Sequence, residues 1–419
     1  MIGAIARAHG DDPGLRGRLQ PYQQAALDDI AACGTPACGL HLEVCDHCGD
    51  GRVVPNTCGH RSCPHCQGAE RAAWVEARQQ ELLPGIGFFH VVTTVPPAIS
   101  HLAQHFPRVV LPIQLRASAD AILMLCHDST HLGAEVGLVE VLHTWTRDLR
   151  WHPHVHLIVT AGGWNADEQQ WKPAKRYGAG QRAFLLPINV LRAAYQKRLV
   201  RLLMDAYRTG AFARELPVIL PELVSAEAFY AHLATLMRLD WVIRVEPPFG
   251  SPEVLLKYLG AYINRVAISP KRIIAHDPAA NDGAGRVTWT YRTNAEPDVL
   301  RQCIQTGAEF LAGFAQHILP PRLVRIRFRG LWSTAHRRTK LHSARLWLYE
   351  QRGGLPPPLP PPPPPPIDPR RRCQACGQGT YQRVHGPCPR PTRAQRRILL
   401  AELRLQERTG PPTEVHATA

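Results

Sequence analysis

Apolar positions along the 419 residues fall into two rhythms. Alternating or continuous β-branched runs closed by Pro and Gly mark strands, whereas spacings of three and four mark amphipathic helices. Phe88-Phe-His-Val-Val-Thr-Thr-Val95, closed by Pro96-Pro97, is the first clear strand run. Leu138–Trp145 and Trp151–Thr160 are two more, joined by a turn at Arg147-Asp-Leu-Arg-Trp151 and ended by Ala161-Gly-Gly163. Trp241–Val245 reads as a strand, and Val287–Tyr291 as one hairpinned with Arg272–Ile274. Helical spacing predicts a short helix around Tyr22–Ile30 and a long one near 108–130, with Ile113, Leu115, Ile122, Leu123 and Leu125 as its buried stripe. It predicts others over 187–209, 225–238 and 295–318, the last turning Leu300, Ile304, Phe310, Leu311 and Phe314 inward. One more helix opens at Ser251, with Pro252 at its first position and Glu253 complementing its dipole.

Pro356 to Pro366 is nearly pure proline, a polyproline II spacer that cannot join a packed core. The pattern divides the chain into 1–75, 85–335 and a basic, Pro-rich, partly disordered tail over 336–419.

Charge narrows the partner. Forty-nine Lys and Arg face 34 Asp and Glu, a formal net charge of +15, which favours nucleic acid first and an anionic membrane surface second. No apolar run approaches the roughly 20 residues that span a bilayer, and the N-terminus lacks the apolar core of a signal peptide. The expected setting is the cytoplasm, at the nucleoid.

The twelve cysteines are clustered, which suits metal binding better than a disulfide framework. Cys45-Asp-His-Cys48 and Cys63-Pro-His-Cys66, fourteen residues apart, are two knuckles that can close a tetrahedral, structural Zn²⁺ site. Cys58 and His60 are alternatives for one ligand or, with Cys33 and Cys38, a second site. Cys373-Gln-Ala-Cys376, with His385 and Cys388 downstream, is a candidate second knuckle.

Candidate chemistry centres on His152, His154 and His156, whose alternation puts three imidazoles on one strand face. A His-rich surface strand or a structural metal clip shares that spacing. A four-residue loop over 148–151 would pair His143 with His156 across the hairpin, adding a third ligand on the same face. His90 reads as a packed strand histidine, with a reach into the site as the alternative. Tyr258 and Tyr262 are one helical turn apart, flanked by Lys257 and Arg265. That arrangement serves a phenol attacking a phosphorus, or a tyrosine pair packing a helix on a sheet. Arg325, Arg327 and Arg329 alternate onto one strand face that could follow a phosphate backbone, or simply be solvated.

The cysteine-rich head, His143-Thr-Trp145, Arg147-Asp-Leu-Arg-Trp-His-Pro-His-Val-His156 and Tyr258-Leu-Gly-Ala-Tyr262 together resemble the rolling-circle insertion-sequence transposases of the HUH endonuclease superfamily. The resemblance runs from about Cys33 to Arg337 and departs at Thr146, where a glycine is expected. It implies an α+β fold, an antiparallel sheet with flanking helices beside a small zinc-binding domain. His154-Val155-His156 maps onto the His pair, leaving His152 outside the ligand set, and His143 onto a His-Thr-aromatic signature. The implied activity is nicking and joining of single-stranded or hairpin DNA at element ends and of target DNA, using Mg²⁺ or Mn²⁺ and a 5′-phosphotyrosine. No G-x-x-x-x-G-K-[ST] loop occurs, so a host helicase is the expected source of unwinding. Two other classes share parts of the pattern. A zinc-dependent DNA-binding regulator would have no need of the tyrosine pair, and an amidohydrolase-type hydrolase would need a (β/α)₈ alternation that is missing.

Overall fold

The computed structural model describes residues 1–66, 83–177, 182–249, 267–293, 296–354, 371–384 and 390–409. The strands are β1 (Leu40–Cys45), β2 (Gly51–Pro55), β3 (Phe88–Thr94), β4 (Gly137–Trp145) and β5 (Trp151–Thr160). Next come β6 (Gly162–Asn165), β7 (Gln170–Pro173), β8 (Arg176–Tyr177), β9 (Arg182–Ala183) and β10 (Ile243–Phe249). The last five are β11 (Ile273–Asp277), β12 (Arg286–Tyr291), β13 (Arg301–Gln305), β14 (Ile326–Gly330) and β15 (Tyr381–Arg383).

The strand run Trp151–Thr160 becomes the middle of a five-stranded sheet ordered β10-β3-β5-β4-β14, every neighbour antiparallel. Its alternation has a structural consequence. Val155, Leu157 and Val159 are fully buried against the helices Pro107–His127 and Ile188–Arg208, and the even-numbered residues face the other way. On that second face Val139, Val141 and Ile158 pack under Trp332, Leu341 and Leu348 at one end, while the histidines occupy the other. The helix Pro107–His127 has Val110, Leu111, Leu115, Ile122 and Leu125 buried, close to its expected stripe. By length and composition this helix is apolar enough to cross a membrane, contrary to the sequence expectation; here it is the central helix of the core.

One expected helix is corrected. Residues 295–318 divide into β13 and a shorter helix, Gly307–Ala315. Arg301-Gln-Cys-Ile-Gln305 alternates and pairs with β12, leaving Leu300 and Ile304 exposed. The helix starts only at Thr306, whose hydroxyl accepts the Glu309 N–H while the Glu309 carboxylate accepts the Thr306 N–H. Phe310, Leu311 and Phe314 are buried as expected.

The head does not rest on metal alone. Ile5, Leu27 and Ile30, from the helices Ile2–His9 and Pro21–Ala32, share a core with Ile268, Trp289, Phe310 and Phe314. The described parts of the C-terminal region also return to it. Strand β15 extends the β1–β2 hairpin, and the helix Arg393–Thr409 buries Leu400 while Arg396 meets Asp29 at 2.6 Å and Arg404 meets Asp11 at 2.5 Å.

Candidate metal centres and an arginine-rimmed cleft

Strands β4 and β5 bring three imidazoles together. His143 lies opposite His154 and Val141 opposite His156, and the ligand atoms of His143, His154 and His156 lie within 4.8 Å of one another. The expected register, His143 against His156, is therefore corrected by two residues, a shift that leaves every side chain on its original face. The cause is local. Thr146 N–H donates to Arg150 O at 3.0 Å, Leu149 takes φ 62°, and Trp145 faces Trp151. β5 then carries one extra residue before His154, a bulge at His152-Pro153 where proline has no N–H to lose. The buried Gln114 amide donates to the Pro153 carbonyl at 3.2 Å, fixing that bulge from the long helix.

The hydrogen bonds set which ring nitrogen of His154 and of His156 carries the lone pair. His154 Nδ1 donates to His152 O at 2.8 Å, so Nε2 carries the lone pair. Glu246 Oε2 lies 2.8 Å from His90 Nδ1, and His90 Nε2 lies 2.9 Å from His156 Nδ1. The carboxylate only accepts, so His90 donates from Nδ1 and accepts at Nε2. His156 then donates from Nδ1, which puts its lone pair on Nε2. His90 thus belongs to the site, the alternative to its reading as a packed strand histidine. Burial holds the His154 imidazole at a pKa of about 4, neutral and ligand-competent near pH 7. His152 is lowered by burial and then by Arg150.

Around these imidazoles lies a cleft of about 560 Å³, lined also by Arg147, Arg150, Arg244, Arg272 and Arg292 against Asp148 and Glu246. Five cations against two carboxylates suit a polyanion. These arginines come from β10, the β4–β5 turn and the segments flanking β11 and β12. No spacing in the chain predicts their convergence, although Arg147 and Arg150 sit beside the histidine run. Tyr291 also lines the cleft.

The predicted basic row is placed elsewhere. On β14, Arg327 opposes Glu140 and Arg329 opposes Leu138, on the sheet face opposite His143. Arg329 Nε meets the fully buried Glu140 carboxylate at 3.1 Å, so its charge is already committed. Arg327 lines a separate groove with Arg108 and Arg322. Arg325 is buried enough for its pKa to fall to about 10. Lys257, Tyr258, Tyr262 and Arg265 lie outside the described residues, as do His385 and Cys388.

The expected zinc site of Cys45, Cys48, Cys63 and Cys66 is also corrected. Cys63 and Cys66 meet Cys33 and Cys58, with Cys33–Cys66 at 3.7 Å, Cys58–Cys66 at 3.6 Å and Cys33–Cys63 at 3.6 Å. Cys45 and Cys48 meet Cys373 and Cys376 instead. The strand β1 carries its knuckle away from the loop 56–66, so one Zn²⁺ cannot reach all four. Cys58, held as an alternative, is in the first cluster; Cys38 is in neither.

Comparison with known proteins agrees with this architecture. A family profile described as "Putative transposase" matches residues 137–340, and one described as "Transposase zinc-binding domain" matches residues 5–95. "Putative transposase y4qJ" of Sinorhizobium fredii is 36% identical over 329 residues, 78% of this chain and 78% of that protein. "Transposase for insertion sequence element IS801" of Pseudomonas savastanoi pv. phaseolicola is 28% identical over 321 residues, covering 75% and 71%. No solved structure matches. A paired-strand histidine cluster, an arginine-rimmed cleft, a zinc-binding head and these likenesses converge, and the chain belongs to the IS91/IS801 family of insertion-sequence transposases.

Proposed function

We propose that this transposase nicks and rejoins single-stranded DNA at element ends by tyrosine transesterification, the HUH-type chemistry. The observation that carries the reading is the cluster of three imidazole ligand atoms within 4.8 Å in a cleft rimmed by five arginines. Residues on both sides of the tyrosine segment, Glu246 before it and Ala267 after it, line the same cleft. His143, His154 and His156 would hold Mg²⁺ or Mn²⁺, leaving the remaining positions to phosphate oxygens and water. Such an ion, when bound, polarises the scissile phosphate and offsets charge built up on it. The chain's own groups do the rest. The arginines of the cleft seat the flanking phosphates, and Lys257 and Arg265 ease the loss of the proton from a phenol whose ordinary pKa is near 10. The oxygen of Tyr258 or Tyr262 attacks phosphorus and the P–O3′ bond breaks. The products are a 5′-phosphotyrosine and a 3′-hydroxyl that takes up the proton. The phosphodiester bond energy is conserved, so joining to target DNA consumes no nucleotide. Unwinding falls to a host helicase, at the nucleoid. Residues 85–335 form the strand-transfer unit, with 1–75 reading the ends, and Arg327, beside Arg108 and Arg322, extends the DNA path on the far sheet face while the more deeply set Arg325 adds positive charge beneath it.

A gel assay tests this. Protein, Mn²⁺ and a single-stranded end oligonucleotide are expected to give a covalent band that maps by mass spectrometry to Tyr258 or Tyr262. Tyr258→Phe/Tyr262→Phe protein should lose it by at least 100-fold. Mapping to Tyr291, or full cleavage by the double variant, removes the pair from the mechanism. His143→Ala should weaken Mn²⁺ binding in calorimetry at least 10-fold, and an unchanged titration excludes it as a ligand.

A further inference from the structure

We infer that the chain holds a second structural Zn²⁺ in a site closed by Cys45 and Cys48 from the head and Cys373 and Cys376 from beyond the polyproline stretch, so that one metal staples the two ends of the chain together.

The distances are those of a metal shell. Tetrahedral Zn–S bonds of about 2.3 Å place sulfurs about 3.8 Å apart. Cys45 and Cys376 are 3.9 Å apart and Cys48 and Cys373 3.7 Å, well beyond the ~2.05 Å of a disulfide. Cys45 and Cys373 are 3% and 2% exposed. Backbone N–H groups point at the sulfurs, His47 N at 3.4 Å from Cys45 Sγ and Gly379 N at 3.4 Å from Cys376 Sγ, as thiolates require.

A second, independent observation is that the surrounding backbone is built to bring the two knuckles together. Strands β1 and β15 pair with Cys45 opposite Tyr381, and Asp46 N–H donates to Thr380 O at 3.1 Å. The Asp46 carboxylate accepts from Thr380 N and Oγ1, each at 2.7 Å. Gly379 passes so near that a Cβ there would lie 2.5 Å from Cys45 Sγ. Only glycine permits that approach. Neither Cys373 nor Cys376 falls within residues 5–95, the span matched by the zinc-binding family profile.

Metal content in full-length protein decides the matter, measured in a His154→Ala/His156→Ala background so that the imidazoles contribute nothing. Mass spectrometry of the metal should give two Zn²⁺ per chain. Cys45→Ser/Cys48→Ser and Cys373→Ser/Cys376→Ser should each lower this to one. The four-fold variant combining them should also hold one. If it holds none, the two knuckles belong to separate sites and the staple is wrong; the same follows if Cys373→Ser/Cys376→Ser keeps two. Against loss of fold, two milder variants carry the test. Cys376→His should keep two metals and shift the Co²⁺ ligand-field bands of one. Gly379→Ala, with every cysteine intact, should release one Zn²⁺ to a colorimetric chelator at least 10-fold faster. Unchanged bands or unchanged release overturn the proposal.

Discussion

At the scale of single residues, the tautomer of His156 is set by two groups that touch no ligand position, His90 and Glu246. Partners of this kind typically change metal affinity 10- to 100-fold. Glu246→Leu and His90→Ala should therefore weaken Mn²⁺ binding by at least 10-fold in calorimetry, with the far-ultraviolet spectrum unchanged; an unaltered titration would show that the imidazole needs no such orientation. A neighbouring histidine has a different role. His317 is buried, 3.0 Å from Leu149 O through Nε2 and stacked on Trp151, and burial lowers its pKa from 6.5 to about 4. Its neutral form is the one the fold accepts, so the sign follows: stability is complete above pH 6.5 and falls as pH drops toward 4. The loss is roughly 3 kcal/mol once the group is charged. His317→Gln can still donate to Leu149 O but cannot titrate, so the wild-type-minus-variant difference in urea midpoint should fall steadily as pH drops from 6.5 to 4. A difference that stays constant with pH would assign the slope to other groups. The strand histidines are legible in the chain because alternation alone puts them on one face. His90 and Glu246 are not, since His90 reaches His156 across 66 residues of chain and Glu246 reaches His90 across 156.

At the scale of elements, the three strands around the site and the long helices follow from short-range pattern, because burial on one face imposes a period on the sequence. Where pattern fails, a local competitor wins. Arg301-Gln-Cys-Ile-Gln305 can be spaced as a helix, yet the free edge of β12 and the Thr306–Glu309 cap give it a strand and a later helix start. Strand β14 is the reverse case: its alternation is right, and the role of one arginine is not. Glu140, held at about pH 7 by burial against the pull of Arg329, needs that guanidinium. Arg329→Leu should then cost about 3 kcal/mol in urea unfolding, the usual penalty for orphaning a buried charge. Glu140→Gln/Arg329→Leu should recover much of it. The salt dependence of DNA binding should not change with Arg329→Leu, since a charge already neutralised releases no counterion. A slope reduced by about one would restore Arg329 to the DNA path.

At the scale of the molecule, the two ends of the chain form one body with the β11–β13 sheet. Two CxxC knuckles fourteen residues apart invite pairing with each other, and nothing in their spacing says that Cys48 finds a partner 325 residues away. The charge pattern hides a similar long-range fit. Asp11, in the turn after the first helix, and Asp28 and Asp29 of the helix Pro21–Ala32 face Arg393, Arg396 and Arg404 of the helix Arg393–Thr409, while Glu407 answers Arg7 at 2.8 Å. These contacts are half-exposed at several points and individually weak; Leu400, 1% exposed in the shared core, supplies the apolar anchor. A chain ending at Val384 keeps Cys373 and Cys376 but lacks this helix. Its helices Ile2–His9 and Pro21–Ala32 should exchange amide hydrogen for deuterium at least 10-fold faster, because local opening no longer has to break that packing. The β4–β5 hairpin, buried under its own helices, should exchange as before. Equal protection of the N-terminal helices in both chains would mean that the head is held by its metal and the β11–β13 core alone, with the last helix resting on it without consequence.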